Sequence, residues 1–306
     1  MQRMIYTLTV NPSLDYLMEV EDFAGGKVNR AKKTWMGAGG KGVNVSIVLK
    51  NLGVKSRTLG FKAGFTGDEI ERLIREQGIP VDFIPLSEGL SRINVKLHGK
   101  TETEINAPGP VINAEEKNLL EKKIASLSSC DTLVIAGSLP PSLPDDFYSS
   151  LMKSLNGKNV PCVVDTTGPS LEKTLEYRPF LIKPNNFELG ALFNRELSTR
   201  EDVVPYAKIL QERGAENVLV SLGGEGAVLV CKDGRVMKAS SPHGKVVNSV
   251  GAGDSMVAGF LAAYNSTEDF EKAFVYGIAA GSGSAFKGGL AGKEDLESLV
   301  PQIHID

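Results

Sequence analysis

The chain has 306 residues, 42% of them hydrophobic and 23% charged, with a formal net charge of -3. This is the composition of an ordinary globular protein with enough chain for a large core, in one or two domains. It gives no basic footprint for nucleic acid or an anionic membrane, and no run approaches the ~18 apolar residues of a membrane span. The scattered Cys130, Cys162 and Cys231, and the scattered His98, His243 and His304, exclude a disulfide framework, a structural zinc site and H-E-x-x-H chemistry. The first residues lack a signal peptide's apolar segment, so the cytoplasm is the expected location.

In chain order, β-branched apolar runs at 6–10, 132–136, 161–165, 180–183 and 218–221 predict strands. Amphipathic stretches at 67–77, 114–127, 145–155 and 202–213 predict helices between them. Strands apolar throughout and alternating with helices predict a doubly wound, mostly parallel α/β sheet flanked by helices, with ligands at the strands' carboxyl ends. Two segments break this pattern. Polar and apolar residues alternate over 14–33 and 91–105, as in Ile93, Val95 and Leu97 against Asn94, Lys96 and His98. These predict a small antiparallel β-sheet with one solvated face. Inserted as a lid, at about 14–34 and 91–106, it fits a single domain over 1–306 better than two.

The stretch Gly37-Ala38-Gly39-Gly40-Lys41-Gly42 matches the G-x-G-x-x-G of dinucleotide-binding loops. An oxidoreductase built on it requires an apolar strand entering the loop and an acid ~20 residues later. The lead-in Asn29-Arg30-Ala31-Lys32-Lys33 is too charged, and no acid stands around 60–62. That reading fails both requirements. The loop instead leads into a predicted helix over 43–52 closed by Gly53.

A second glycine loop, Val250-Gly251-Ala252-Gly253-Asp254-Ser255, opens an apolar helix over 256–264. A glycine turn at a helix start aims free N–H groups at one spot and favours an anion there. Phosphoryl transfer needs such a spot for the charge on the transferring group. Asp254 beside it has two readings. One is a helix-start cap worth about 0.5–2 kcal/mol; the other is a base that deprotonates an attacking hydroxyl. The helix terminus should keep it ionised, so its effect as a base is expected from position rather than a raised pKa.

The run VGAGDSMVAGF resembles the C-terminal motif of the ribokinase-like (PfkB) family of sugar kinases, and GAGGKGVNVS its N-terminal motif. The two lie far apart in family order, accompanied by TLTVNPSLD, SRINVKL, AGSLPPS, KPNNFEL and SLGGEGA. The resemblance implies a ribokinase-like fold and ATP-dependent, Mg2+-dependent phosphorylation of a sugar or phosphosugar. The runs RINVKL and TEIN look most like members acting on fructose 1-phosphate to give fructose 1,6-bisphosphate, with tagatose-6-phosphate kinases second.

Carried over by motif, the resemblance implies Asp254 as the base and Gly251, Ala252 and Gly253 as the anion hole. It implies Lys183 and Asn185 for ATP phosphates, Glu188 for Mg2+ through water, and Ser221, Gly223 and Gly226 for the nucleotide. On the sugar side it implies Asp15, Gly39, Gly40 and Asn44, with Arg92, Lys27 and Lys41 toward the substrate's phosphate and Ser138 beside them. Ordinary roles compete: turns for Asp15, Ser138 and Asn185, a hairpin for SLGGEG, solvated charge for the lysines. Several relatives pair through lid strands, which implies a homodimer through the small sheet.

Overall fold

The computed structural model describes residues 4–100 and 102–306. The first half runs β1 (Met4–Thr9), β2 (Ser13–Glu19), β3 (Lys33–Gly39), α1 (Lys41–Asn51), β4 (Ser56–Lys62), α2 (Gly64–Glu76), β5 (Val81–Pro85), β6 (Arg92–His98), β7 (Thr103–Asn106), α3 (Ala114–Ala125) and β8 (Asp131–Ala136). It continues α4 (Phe147–Lys153), β9 (Cys162–Asp165), α5 (Gly168–Thr174), β10 (Leu181–Ile182), α6 (Asn186–Phe193), α7 (Arg200–Glu212) and β11 (Val218–Ser221). Last come β12 (Ala227–Val230), β13 (Val236–Ala239), α8 (Ala252–Thr267), α9 (Phe270–Lys287) and α10 (Lys293–Leu299).

The main sheet has nine strands in the order β13-β12-β11-β10-β9-β8-β1-β4-β5. Its central pairs are parallel, while β12 and β13 close one edge antiparallel. In β8, Leu133 and Ile135 join the core that holds Leu120 of α3 and Leu151 of α4. Val134 and Ala136 join the opposite core, with Val45 of α1, Val257 of α8 and Phe274 of α9. Burial on both faces is why such strands carry no polar alternation. Helices α8 and α9 approach so closely that a Cβ on Gly259 would stand 2.4 Å from the carbonyl oxygen of Tyr276.

A second sheet runs β3-β2-β6-β7. Its outer pairs, β2–β3 and β6–β7, are antiparallel, but β2 and β6 pair in parallel. The wholly antiparallel lid sheet expected from sequence is therefore corrected to a mixed one. Alternation marks a one-sided sheet and carries no information on strand direction, because parallel and antiparallel strands share the same two-residue side-chain period. Leu14 of β2 packs with Val43 and Ile47 of α1 and Ile70 and Ile74 of α2. The opposite face carries Ser13, Asp15, Arg92, Asn94 and Asn106, which the register brings together. Among the described residues, no helix is long and apolar enough to cross a membrane.

Candidate active site

The two glycine loops converge. Asn44, in the first turn of α1, donates from Nδ2 to Oδ2 of Asp254 in the first turn of α8 at 2.8 Å, across 210 residues of sequence. Gly251 caps α8 with φ 78°, a conformation other residues reach only with strain. The Ala252 N–H turns back to the Ser249 carbonyl. The N–H groups of Gly253 and Asp254, in the first turn, have no intrahelical acceptor. Asp254 does not cap the helix; its carboxylate turns to Asn44, so the cap reading falls.

Lys183 comes into the same place from the end of β10. Its Nζ lies 3.6 Å from Oδ1 of Asp165 and would meet a Cβ on Gly253 at 3.0 Å. Lys41 Nζ donates to the same Asp165 oxygen at 3.0 Å. Asp165, 1% exposed, is thus a buried anion between two lysines. Sequence reasoning missed it. The available signal was a carboxylate ending an otherwise apolar parallel strand, where doubly wound folds place their ligands.

These charges set the titration of the site. Burial first, and then the like charge of Asp165, pushes the Asp254 carboxyl up to about 6 against the opposing pull of Lys41, Asn44 and Lys183. The expectation of an unperturbed, helix-stabilised carboxylate is corrected: full desolvation outweighs the helix terminus. Burial would pull Lys41 down, yet Asp165, Asp254 and Glu188 together hold it above its ordinary value. Burial would raise Asp165, but Lys183 and Lys41 bring it below the usual carboxylate range.

A cavity of about 400 Å³ opens beside this cluster, walled by Gly40, Lys41, Arg92, Ser138 and Glu188, all anticipated, and by Thr9, Asn11, Asn94, Asn106, Gly137, Thr166 and Thr167, which were not. Arg92 donates from Nε to the Asn11 carbonyl at 3.0 Å; burial draws its pKa down, with Asp15 opposing. Gly40 sits at φ 123°, and a Cβ on Gly39 would come within 2.4 Å of Oδ1 of Asp15. Asp15 holds Ser13 at 2.6 Å and Lys96 at 2.8 Å. Lys27 stands on the exposed connector between β2 and β3 and does not line the cavity.

On the neighbouring edge, Asn185 and Glu188 form a capping box at α6, each side chain bonded to the other's backbone N–H at 2.8 Å. The ordinary helix-start role of this pair is therefore filled, while Glu188 still borders the cavity. Ser221 bridges to Asn185, which sets SLGGEG beside KPNN. Gly223 and Gly226 make the turn from β11 to β12, closed by Leu222 N–H to Gly226 carbonyl at 2.8 Å.

The model of the pfkB family carbohydrate kinases matches residues 9–295. The chain is 44% identical to the 1-phosphofructokinase of Bacillus subtilis, over 99% of each chain. It is 39% identical to a D-tagatose-1-phosphate kinase of Bacillus licheniformis, again over 99% of each. The structure superposes on phosphofructokinase-2 from Escherichia coli in complex with fructose-6-phosphate with a TM-score of 0.91 and 30% identity, covering 98% of this chain and 99% of that one. A family model spanning nearly the whole chain, with its two glycine motifs joined by the Asn44–Asp254 hydrogen bond, places this protein in the pfkB family of carbohydrate kinases.

Proposed function

We propose that the protein transfers the γ-phosphoryl group of ATP to the 6-hydroxyl of fructose 1-phosphate, giving fructose 1,6-bisphosphate and ADP. The observation that carries this reading is the Asn44–Asp254 hydrogen bond, which ties the sugar-side loop to the anion-binding helix start. Asp254 takes the proton of the 6-hydroxyl as its oxygen bonds to the γ-phosphorus and the bond to ADP breaks. The free N–H groups at the start of α8, with Lys183 beside Gly253, stabilise charge on the transferring group. A carboxyl near 6 is ionised at neutral pH yet more basic than an ordinary aspartate, which suits a general base.

Arg92, Lys41 and Ser138, which line the cavity, serve the sugar's phosphate and its neighbours. Asp15 and Asn44 take hydroxyls, and the glycines at 39 and 40 let the backbone approach. Asn185 and the turn at Ser221, Gly223 and Gly226 serve the nucleotide. Mg2+ neutralises phosphate charge when it binds. Glu188 would hold it through water, its carboxylate kept at the cavity wall by the Asn185 N–H.

The 39% identical tagatose-1-phosphate kinase supports a second reading, the same reaction on D-tagatose 1-phosphate, which differs from fructose 1-phosphate only in configuration at C4. Pairing of two chains through the small sheet is supported by exposed Met36, Ile93 and Ile105 on one face of it. Lys27, on the adjoining loop, would then be offered to the partner's site.

The test is ATP consumption with fructose 1-phosphate, tagatose 1-phosphate, fructose 6-phosphate, tagatose 6-phosphate and the free sugars. Preference for either 6-phosphate overturns the substrate. Asp254→Asn should lose at least about a thousandfold in kcat while ATP still binds; near-normal turnover overturns the base.

A further inference from the structure

Among the described residues, four buried side-chain polar atoms have no hydrogen-bond partner: Thr9 Oγ1, Asn11 Oδ1, Asn94 Oδ1 and Asp165 Oδ2. One is explained locally. Asp165 is charge-paired to Lys41 and Lys183 through its other oxygen. Thr9 and Asn11 also line the cavity and lie against glycines, since a Cβ on Gly42 would meet Thr9 Oγ1 at 2.5 Å and a Cβ on Gly109 would meet Asn11 Oδ1 at 2.2 Å. Only Asn94 of the four stands on the small sheet. It is 6% exposed, lines the cavity, and sits mid-strand in β6 opposite Asp15 and Asn106. Its neighbours on that face are already engaged: Arg92 with the Asn11 carbonyl and Lys96 with Asp15.

A buried amide oxygen without a donor is costly, and native proteins retain one where a ligand completes it. Resting on the phosphosugar reading above, we propose that Asn94 is a specificity-determining residue whose Oδ1 accepts a hydrogen bond from a non-reacting hydroxyl of the sugar. The chemistry is selective. A hydroxyl supplies the proton that this oxygen requires, whereas a phosphoryl group at neutral pH offers only acceptors and would meet Oδ1 with repulsion. Asn94 therefore reads the hydroxylated middle of the substrate.

The experiment measures kcat/KM for fructose 1-phosphate and its 3-deoxy and 4-deoxy analogues with wild type, Asn94→Leu and Asn94→Ala. Wild-type turnover of fructose 1-phosphate tests the underlying reading by itself. If another phosphosugar of the panel is preferred, its deoxy analogues are used instead. Wild type should penalise one analogue about 10- to 100-fold. Asn94→Leu should lose about that factor on the parent sugar, handle that analogue and the parent alike, and still discriminate against the other analogue. KM for ATP should stay within about twofold. Each discrimination is a ratio on one preparation, so partial misfolding cancels, and Asn94→Ala repeats the comparison in a smaller side chain. Wild-type discrimination retained in both variants, or an equal loss on parent and both analogues, overturns the proposal; the latter is what a purely structural role would produce.

Discussion

Asp165→Asn is the most informative change, because it removes a charge from the centre of the site while keeping shape. Asp254 stands near 6, with burial and then Asp165 as the causes that raise it. Asp165 Oδ1 lies 3.6 Å from Lys183 Nζ, and that nitrogen is 3.0 Å from the Cβ position of Gly253, next to Asp254. The two carboxylates therefore flank Lys183. At an effective dielectric of about 20, unit charges about 12 Å apart interact by about 1.4 kcal/mol, or about one pKa unit. The base form of Asp254 accumulates as pH rises through its pKa, so the acid limb of kcat/KM for the sugar should fall near 6 in wild type. In Asp165→Asn it should move down to about 5 or below, since Lys41 and Lys183 remain and also favour the carboxylate. The same change takes from the buried Lys183 its paired carboxylate, at about 3 kcal/mol. At roughly 2.1 cal/mol/K per residue, 306 residues give about 0.6 kcal/mol per degree, so Tm should fall by about 5 °C. The assay is a pH–rate profile from 4.5 to 8.5 beside a thermal melt. An acid limb that stays at 6 would refute the electrostatic account of Asp254.

Asp254→Asn should show the complementary stability effect. A folded pKa near 6 lies above the ordinary unfolded carboxyl value, so the carboxyl destabilises the fold increasingly as pH rises from about 4 to about 6. The inactive variant should then melt several degrees higher than wild type at pH 8 and no higher at pH 4; equal melts at pH 8 would contradict the raised pKa. Gly39→Ala places a Cβ 2.4 Å from Oδ1 of Asp15, so KM for the sugar should rise by tenfold or more while KM for ATP holds. A parallel rise in both would deny Asp15 its place on the sugar side. Glu188→Gln keeps an oxygen for the Asn185 N–H and loses the charge. Stability should change by less than about 1 kcal/mol, while the Mg2+ concentration for half-maximal activity rises severalfold; an unchanged Mg2+ requirement leaves Glu188 as a helix cap alone.

What the sequence determined by itself was local and periodic. Runs such as 132–136 had to be doubly buried strands, because apolar side chains on both faces have no other place in water. The glycines at 251 and 253 marked a helix start, because the feature depends only on consecutive backbone conformations. The motif resemblance then named the family that the comparisons support. Tertiary structure alone decided the rest. The parallel pairing of β2 with β6 depends on a crossover of over seventy residues, which a two-residue period cannot encode. Asp165 looked like a strand end until Lys41 and Lys183 closed on it. The raised pKa of Asp254 sums burial with charges from positions 41, 165 and 183. Asn94 stood out only once every buried acceptor could be matched with its donor. Electrostatics and hydrogen-bond satisfaction act through space over a few ångströms, and only the fold sets which residues those ångströms separate.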